Sequence, residues 1–204
     1  MAGLEESCPA GRPSRCEPVT ERENPPPGQT GAGWRRPPLE ERADQVRTWT
    51  ALAVGALRHP ALRALVEAWL QAAADEGLRP PSRIAFRPTD VVAALGRITV
   101  LERTDRPDDG GHDWKYRLVG TEIATLVEAD VTGQTIERFH APLAAMLKTQ
   151  FDDAAAAGEP TAYVVNTVVD HRPYSYEKIV LPVRSTPGAG VDQVVVASFP
   201  MESP

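Results

Sequence analysis

Apolar residues near the start of the predicted folded region follow a helical period. Val46, Trp49, Ala53 and Leu57 recur at spacings of three and four residues, which places them on one face of a helix. The pattern predicts an amphipathic N-terminal helix over residues 42–58.

A second helical pattern begins at Pro60, since proline is accepted in the first turn of a helix. Gly77 follows an alanine-rich stretch and is the predicted C-terminal stop. The apolar face predicted for this helix consists of Leu62, Leu65, Val66, Trp69 and Leu70.

Strand patterns begin after residue 80. Pro88 is predicted to open a short helix that ends at Gly96. The segments 98–103 and 114–120 then read as strands on either side of the turn-rich sequence DRPDDGG. This arrangement indicates a hairpin.

Two further helices are predicted after the hairpin. One is short, over residues 122–127, and the other extends over residues 141–157 and is ended by Gly158 and Pro160. The rest of the chain contains three predicted strands separated by turn residues: TAYVVNTVV, YSYEKIVLPV and DQVVVASF.

The order of these elements predicts an α+β fold. Two strands, a helical crossover and three meandering strands form one five-stranded antiparallel sheet with helices on one face, preceded by the N-terminal helices. A doubly wound parallel fold would instead alternate strands and helices throughout, and this sequence does not.

Residues 1–41 form a separate region by composition. They are rich in proline and glycine and contain almost no large aliphatic side chains. Such a segment buries too little apolar surface to offset the entropy of ordering it, so a disordered tail is predicted. The predicted organisation is therefore a tail over 1–41, a helix over 42–58 and a folded domain over 59–204.

Charge and cysteine content narrow the function classes. The formal net charge is −6 and no concentrated basic patch is present, which argues against direct binding of nucleic acid. Cys8 and Cys16 both lie in the predicted tail, so the domain has no thiol for nucleophilic chemistry. The N-terminus has no signal-peptide pattern and no apolar stretch is long enough to span a membrane, so we expect a cytoplasmic protein.

Five segments, taken in order and spacing, carry a resemblance to a known family. They are Trp69, the sequence PPSRIAFRPTDVVAALGRITVLE from Pro80, YRLVGTEI from Tyr116, DVTGQTI from Asp130 and YEKIVLPV from Tyr176. Over residues 59–199 the chain resembles the PAS domain family, and in particular short bacterial members without an attached output domain. The resemblance implies a sensory or regulatory module.

The resemblance also implies a cavity between the long helix and the inner face of the sheet. In the wider family this cavity binds haem, flavin or small metabolites, or is filled by side chains. The candidate lining residues in this sequence are Tyr116, Leu118, Ile123, Leu143, Met146, Leu147, Glu177, Ile179 and Leu181.

The residue types favour neither haem nor flavin as a required cofactor. A flavin–cysteinyl adduct needs a thiol, which the domain lacks. Haem needs an axial ligand, and among four histidines only His140 is on the helix side of the predicted cavity, at the start of the long helix. Its position before Ala141-Pro142 is more typical of a helix cap.

Alternation along the strand 174–183 makes a specific prediction for Glu177. Period two places Glu177 on the same face as Ile179 and Leu181, and the more apolar face should turn inward. Glu177 would then point into the cavity, with Arg117 or a cationic ligand group as partner, unless it is solvated at the rim.

Two glycines lie around the corner between the second strand and the short helix. Gly120 is predicted to allow a sharp turn with Thr121 as a helix cap, and Gly133 to redirect the chain before the long helix. Family members often have glycine at the position of Glu128, so a positive φ there would strain this residue.

Three functions remain open at this point. The first is a regulatory module that binds a signalling protein, or a second copy of itself, through the 42–58 helix. The second is a dedicated receptor for a small molecule or haem, and the third, ranked last, is an enzyme. Catalysis has little support, because the consecutive acids Asp152 and Asp153 would not share a helix face. We therefore expect no enzymatic activity.

Overall fold

The computed structural model describes residues 48–106, 108, 110–169 and 172–201. The predicted tail over 1–41 and Val46 lie outside these residues. The strands are β1 Thr48–Leu52, β2 Ile98–Asp105, β3 His112–Val119, β4 Thr161–Val169, β5 Arg172–Val183 and β6 Gln193–Pro200, and the helices are α1 Pro60–Glu76, α2 Thr121–Val127 and α3 Ala141–Ala157.

The described strands form one antiparallel sheet in the order β1-β4-β5-β6-β2-β3. The predicted hairpin is β2–β3, and the three C-terminal strands β4, β5 and β6 pair in sequence as a meander. The α+β fold with an antiparallel sheet is thus confirmed. The sheet has six strands rather than five, because β1 adds to the edge of β4.

The predicted N-terminal helix is wrong over the part that is described. Trp49 lies in β1, where it pairs with Val165, and its indole ring packs edge-on against Tyr163 with ring centroids 5.6 Å apart. Ala53 is exposed and Leu57 is buried in the core under α1. The stretch TWTAL favours a strand because threonine and tryptophan suit a half-exposed sheet edge, and the free edge of β4 supplies hydrogen-bond partners.

Helix α1 begins and ends as predicted. The ring nitrogen of His59 accepts a hydrogen bond from the Ala61 amide, and Gly77 ends the helix in the left-handed conformation. Trp69 is fully buried, and its indole N–H donates to the Pro182 carbonyl oxygen at 2.7 Å. Leu70 is exposed, against the prediction. The hydrogen bond from Trp69 to Pro182 attaches α1 to β5.

Helices cover both faces of the sheet, so the expectation of helices on one face is corrected. One core lies between α1 and the face carrying Ile179 and Leu181, and a second lies beneath α3 on the face carrying Val180. Because successive residues of a strand point to opposite faces, a strand in the middle of such a sheet is buried on both sides.

The predicted short helix after Pro88 is two 3₁₀ segments, Pro88–Asp90 and Val92–Arg97. Another 3₁₀ turn, Ile136–Arg138, precedes α3. Among the helices of the described region, none is both long and apolar enough to cross a membrane.

Candidate functional site

A cavity of about 170 Å³ lies between the sheet and the helices α2 and α3. Its floor comes from β2, β3, β4, β5 and β6, where Leu101, Tyr116 and Val196 supply apolar surface. Ile123 from α2 and Leu147 from α3 form part of its roof. The fold therefore leaves a largely apolar, partly open space on one side of the sheet.

The face of β5 that lines the cavity is opposite to the predicted one. Tyr174, Tyr176 and Lys178 line the cavity. Glu177 and Ile179 alternate with them and point to the side that α1 covers. The rule that the more apolar face turns inward fails here because both faces of β5 are covered.

The predicted lining residues divide into three groups. Those that line the cavity are Tyr116, Ile123, Leu143 and Leu147. Leu118 is 48 % exposed, and Met146 is buried in the core beneath α3 without lining the cavity. Those on the opposite face of the sheet are Glu177, Ile179 and Leu181.

Glu177 is neither a cavity residue nor a solvated one. Its side chain is 3 % exposed, and its carboxylate accepts hydrogen bonds from the backbone amides of Arg58 at 3.0 Å and His59 at 2.9 Å. Arg117, the partner considered from sequence, pairs instead with Glu102 at 3.2 Å. Glu177 therefore anchors the segment between β1 and α1 to β5.

Lys178 is the most unusual cavity residue. It is 2 % exposed, and its ammonium nitrogen is buried without a hydrogen-bond partner. The nitrogen lies 5.4 Å from the ring centroid of Phe151 and 6.0 Å from that of Tyr163, so both aromatic rings are within reach of a cation–π interaction. Burial without compensation lowers the pKa of Lys178 to about 7.

The low pKa of Lys178 makes stability depend on pH. We expect the free energy of unfolding to rise by about 2 kcal/mol between pH 7 and pH 9. The unfolded chain keeps the lysine proton over this interval and the folded chain loses it, so raising the pH favours the folded state. Urea unfolding across this pH range measures the change, and Lys178→Met should give a flat curve. A wild-type curve parallel to that of the variant would contradict the assignment.

The roof of the cavity is attached to β3 through Asp152 of α3. This carboxylate contacts His112 Nε2 at 2.7 Å and accepts hydrogen bonds from Trp114 Nε1 at 2.8 Å and Lys148 Nζ at 2.9 Å. Burial alone would raise the pKa of Asp152, but these hydrogen bonds outweigh it and lower the pKa. Asp152, one of the two consecutive acids considered for catalysis, therefore holds α3 in place.

An ion pair lies beside the cavity next to α2. Arg97, which lines the cavity, donates from Nε to the Glu122 carboxylate at 2.7 Å. Glu122 is in the first turn of α2, where a negative charge is favoured by the helix dipole. The pair therefore ties α2 to the chain segment that precedes β2.

The corner between β3 and α2 differs in detail from the prediction. Gly120, rather than Thr121, occupies the cap position, and no side chain caps the helix. Glu128 ends α2 with a φ of 50°, so it adopts the left-handed conformation that glycine would favour. Gly133 has a φ of 83°, which accounts for a glycine before α3.

The residues at the cavity do not fit haem or a flavin–cysteinyl adduct. Its described lining contains no histidine, cysteine or methionine. His140, the histidine considered as a haem ligand, is exposed at the start of α3 and does not line the cavity. Over the described ranges, no group of three or more histidine, cysteine or acidic side chains could hold a metal ion.

Several lining residues are not among those predicted from the sequence. Arg97, Thr99 and Ser198 add polar groups, and Phe139 and Phe151 add aromatic surface. A lysine in the middle of an otherwise buried strand is the signal that could have identified Lys178, since lysine is almost never fully buried without a purpose or a partner.

Comparisons with known proteins address the family. A family model described as PAS domain matches residues 57–193, which is well over half of the chain. No curated protein matches the sequence. A solved structure described as "Structure of an RNA-binding Light-Oxygen-Voltage Receptor" is similar at 17 % identity with a TM-score of 0.38, covering 59 % of this chain and 35 % of that one.

Proposed function

This chain belongs to the PAS domain family, and we propose that it acts as a sensory and regulatory module in bacterial signal transduction. In this proposal a small ligand in the cavity gates a non-covalent contact with a signalling protein. The proposal includes no catalytic step.

The observation that carries the proposal is the cavity between β5 and the helices α2 and α3. It has a volume of about 170 Å³, comparable to the roughly 150 Å³ of an engineered cavity that holds benzene. A ligand there would contact the sheet and both helices at once. Its binding could therefore favour one arrangement of α2 and α3 over another, which is what gating requires.

The family membership supports a sensory role, while the cavity supports ligand control of it. If the partner bound the ligand-occupied and the empty protein equally well, the ligand would not gate the contact. A ligand shifts a conformational equilibrium only by the difference between its affinities for the two conformations. The proposal thus requires both a ligand and a partner that distinguishes the two states.

Native mass spectrometry of the full chain, purified without denaturation, tests the ligand requirement. We expect a mass excess of one small molecule per chain, lost on gentle activation. Leu143→Phe, which adds volume inside the cavity, should reduce the retained fraction about 10-fold or more. Leu70→Phe, on the exposed side of α1 beyond the other face of the sheet, is the matched control and should retain the ligand.

Two outcomes would count against ligand gating. In the first, the wild-type protein retains no small molecule, and extracts of the producing cells do not change the amide hydrogen exchange of α2 and α3. The other is equal retention in Leu143→Phe and wild type, which would place the bound molecule outside the cavity.

A further inference from the structure

The cavity combines apolar walls with positive charge that no acidic residue in its described lining balances. Lys178 is buried in the floor without a hydrogen-bond partner, and Arg97, the other cation of the lining, is paired with Glu122. None of the described lining residues is Asp or Glu. A buried ammonium without a counter-charge is costly, so the site favours a ligand that brings one.

Strand pairing places a second donor beside Lys178. In the antiparallel sheet Lys178 lies opposite Ser198 on β6 and Tyr163 on β4. Directly opposed residues have Cβ atoms about 5 Å apart on the same face, and Ser198 also lines the cavity. An ammonium and a hydroxyl on neighbouring strands are suited to the two oxygens of one carboxylate.

The roof has the opposite character. Ile123 and Leu126 from α2 and Leu143 and Leu147 from α3 face the same space. An anion without an apolar body would leave these side chains unfilled, whereas an apolar molecule without an anion would leave Lys178 unpaired. Only a ligand with both parts matches the floor and the roof together.

We propose that the cavity binds a small amphipathic monocarboxylate, with the carboxylate on Lys178 and Ser198 and a short aromatic or aliphatic body beneath α2 and α3. The cavity volume of about 170 Å³ limits the body to about one aromatic ring with a short linker. This inference rests on the proposed ligand-gated function and names the chemical class of its ligand.

The protonation of Lys178 gives the inference a further consequence. The other ionisable groups lining the cavity are the phenols of Tyr116, Tyr174 and Tyr176 and the paired guanidinium of Arg97. Tyr163, on β4 beside Lys178, adds one more phenol. Burial raises the pKa of Tyr116, Tyr163 and Tyr176, so these phenols stay neutral where the Lys178 ammonium titrates, near its pKa of about 7. Carboxylate binding should therefore weaken as the pH rises.

Isothermal titration of the full chain with 3-phenylpropanoate and its neutral isostere 3-phenylpropanamide tests the inference. We expect the carboxylate to bind about 10- to 100-fold more tightly at pH 6, as one charge-assisted contact predicts. We expect its affinity to fall by about 10-fold or more between pH 6 and pH 9, while that of the amide stays constant.

Lysine substitutions locate the charge that is responsible. Lys178→Met keeps the apolar stem and should reduce carboxylate affinity to that of the amide, whereas Lys115→Met on β3 should leave both affinities unchanged. The chain has three lysines, Lys115, Lys148 and Lys178. Nuclear magnetic resonance of ¹³C-labelled lysine should therefore show one Cε signal that shifts when the carboxylate binds. Since Lys178→Met removes a buried charge, this variant should remain folded.

Several results would overturn the inference. Equal affinity for carboxylate and amide in the wild type, or a carboxylate preference that survives in Lys178→Met, would remove Lys178 as the anchor. Absence of binding by both probes at millimolar concentration would exclude this ligand class. Tighter binding of the amide would also overturn the inference that the ligand is a carboxylate. It would leave ligand gating in place, because a neutral molecule would then occupy the cavity.

Discussion

Replacing Gly120 with alanine is expected to lower the free energy of unfolding by about 3 kcal/mol. A Cβ atom at this position would lie 2.7 Å from the Gly96 carbonyl carbon and 2.9 Å from the Ile98 carbonyl oxygen, and closer still to the Gly96 oxygen. All three atoms belong to the backbone, so no side-chain rotation relieves the clash. The turn from β3 into α2 must move away from the start of β2.

Urea unfolding followed by tryptophan fluorescence measures this loss. Gly190→Ala is the matched control, because a Cβ atom there meets no atom within 4 Å and its φ is not in the left-handed region. Since Ile123 of α2 lines the cavity, Gly120→Ala should also weaken binding of 3-phenylpropanoate. Equal stability of the two variants would show that the two backbone segments can separate at little cost.

Replacing Glu177 with alanine is expected to lower the free energy of unfolding by about 2 to 3 kcal/mol. Its buried carboxylate accepts the amide hydrogens of Arg58 and His59. Alanine leaves both donors without an acceptor in a part-buried position, and it opens a small void beneath the segment between β1 and α1. Chemical denaturation again provides the measurement.

The conservative variant separates hydrogen bonding from charge. Glu177→Gln keeps a carbonyl oxygen that can accept from His59, so it should lose about 1 kcal/mol. Glu67→Ala, at an exposed position of α1, controls for the loss of one negative charge and should be neutral. If Glu177→Ala proved as stable as Glu67→Ala, the anchor would contribute nothing to the fold.

Most helices and strands could be predicted from sequence because their limits are marked by local chemistry. Pro60 and Gly77 define α1, and Gly158 ends α3 in the left-handed conformation. The strand β4 consists largely of β-branched residues, and β6 contains three consecutive valines after a turn sequence. Such signals act within a few residues, so a single sequence contains them in full.

The strand β1 could not be predicted because its structure is set by a distant partner. The spacing of Trp49, Ala53 and Leu57 fits a helix, yet Thr48 and Thr50 pair with Asn166 and Val164 more than a hundred residues away. The five residues of β1 have a pattern that fits either a helix or a strand, so they adopt the structure in which their backbone N–H and C=O groups find hydrogen-bond partners. The open edge of β4 decides in favour of a strand.

The cavity-lining residues were predicted only in part for a related reason. Tyr116, Leu143 and Leu147 follow from the family pattern and from helical periodicity. Alternation along β5 separates two faces correctly but does not say which one α3 covers. Only the position of α1 on the other side of the sheet shows that Lys178, and not Glu177, faces the cavity.

Lys178 and Glu177 are consecutive residues of β5 that point to opposite faces of the sheet. A single peptide bond connects Lys178, whose ammonium faces the cavity, to Glu177, whose carboxylate accepts a hydrogen bond from the His59 amide at the start of α1. Because the two residues share one backbone segment, a displacement of β5 at one of them would also displace the other. A ligand that moves Lys178 would therefore also move the carboxylate that holds the start of α1 on the opposite face of the sheet.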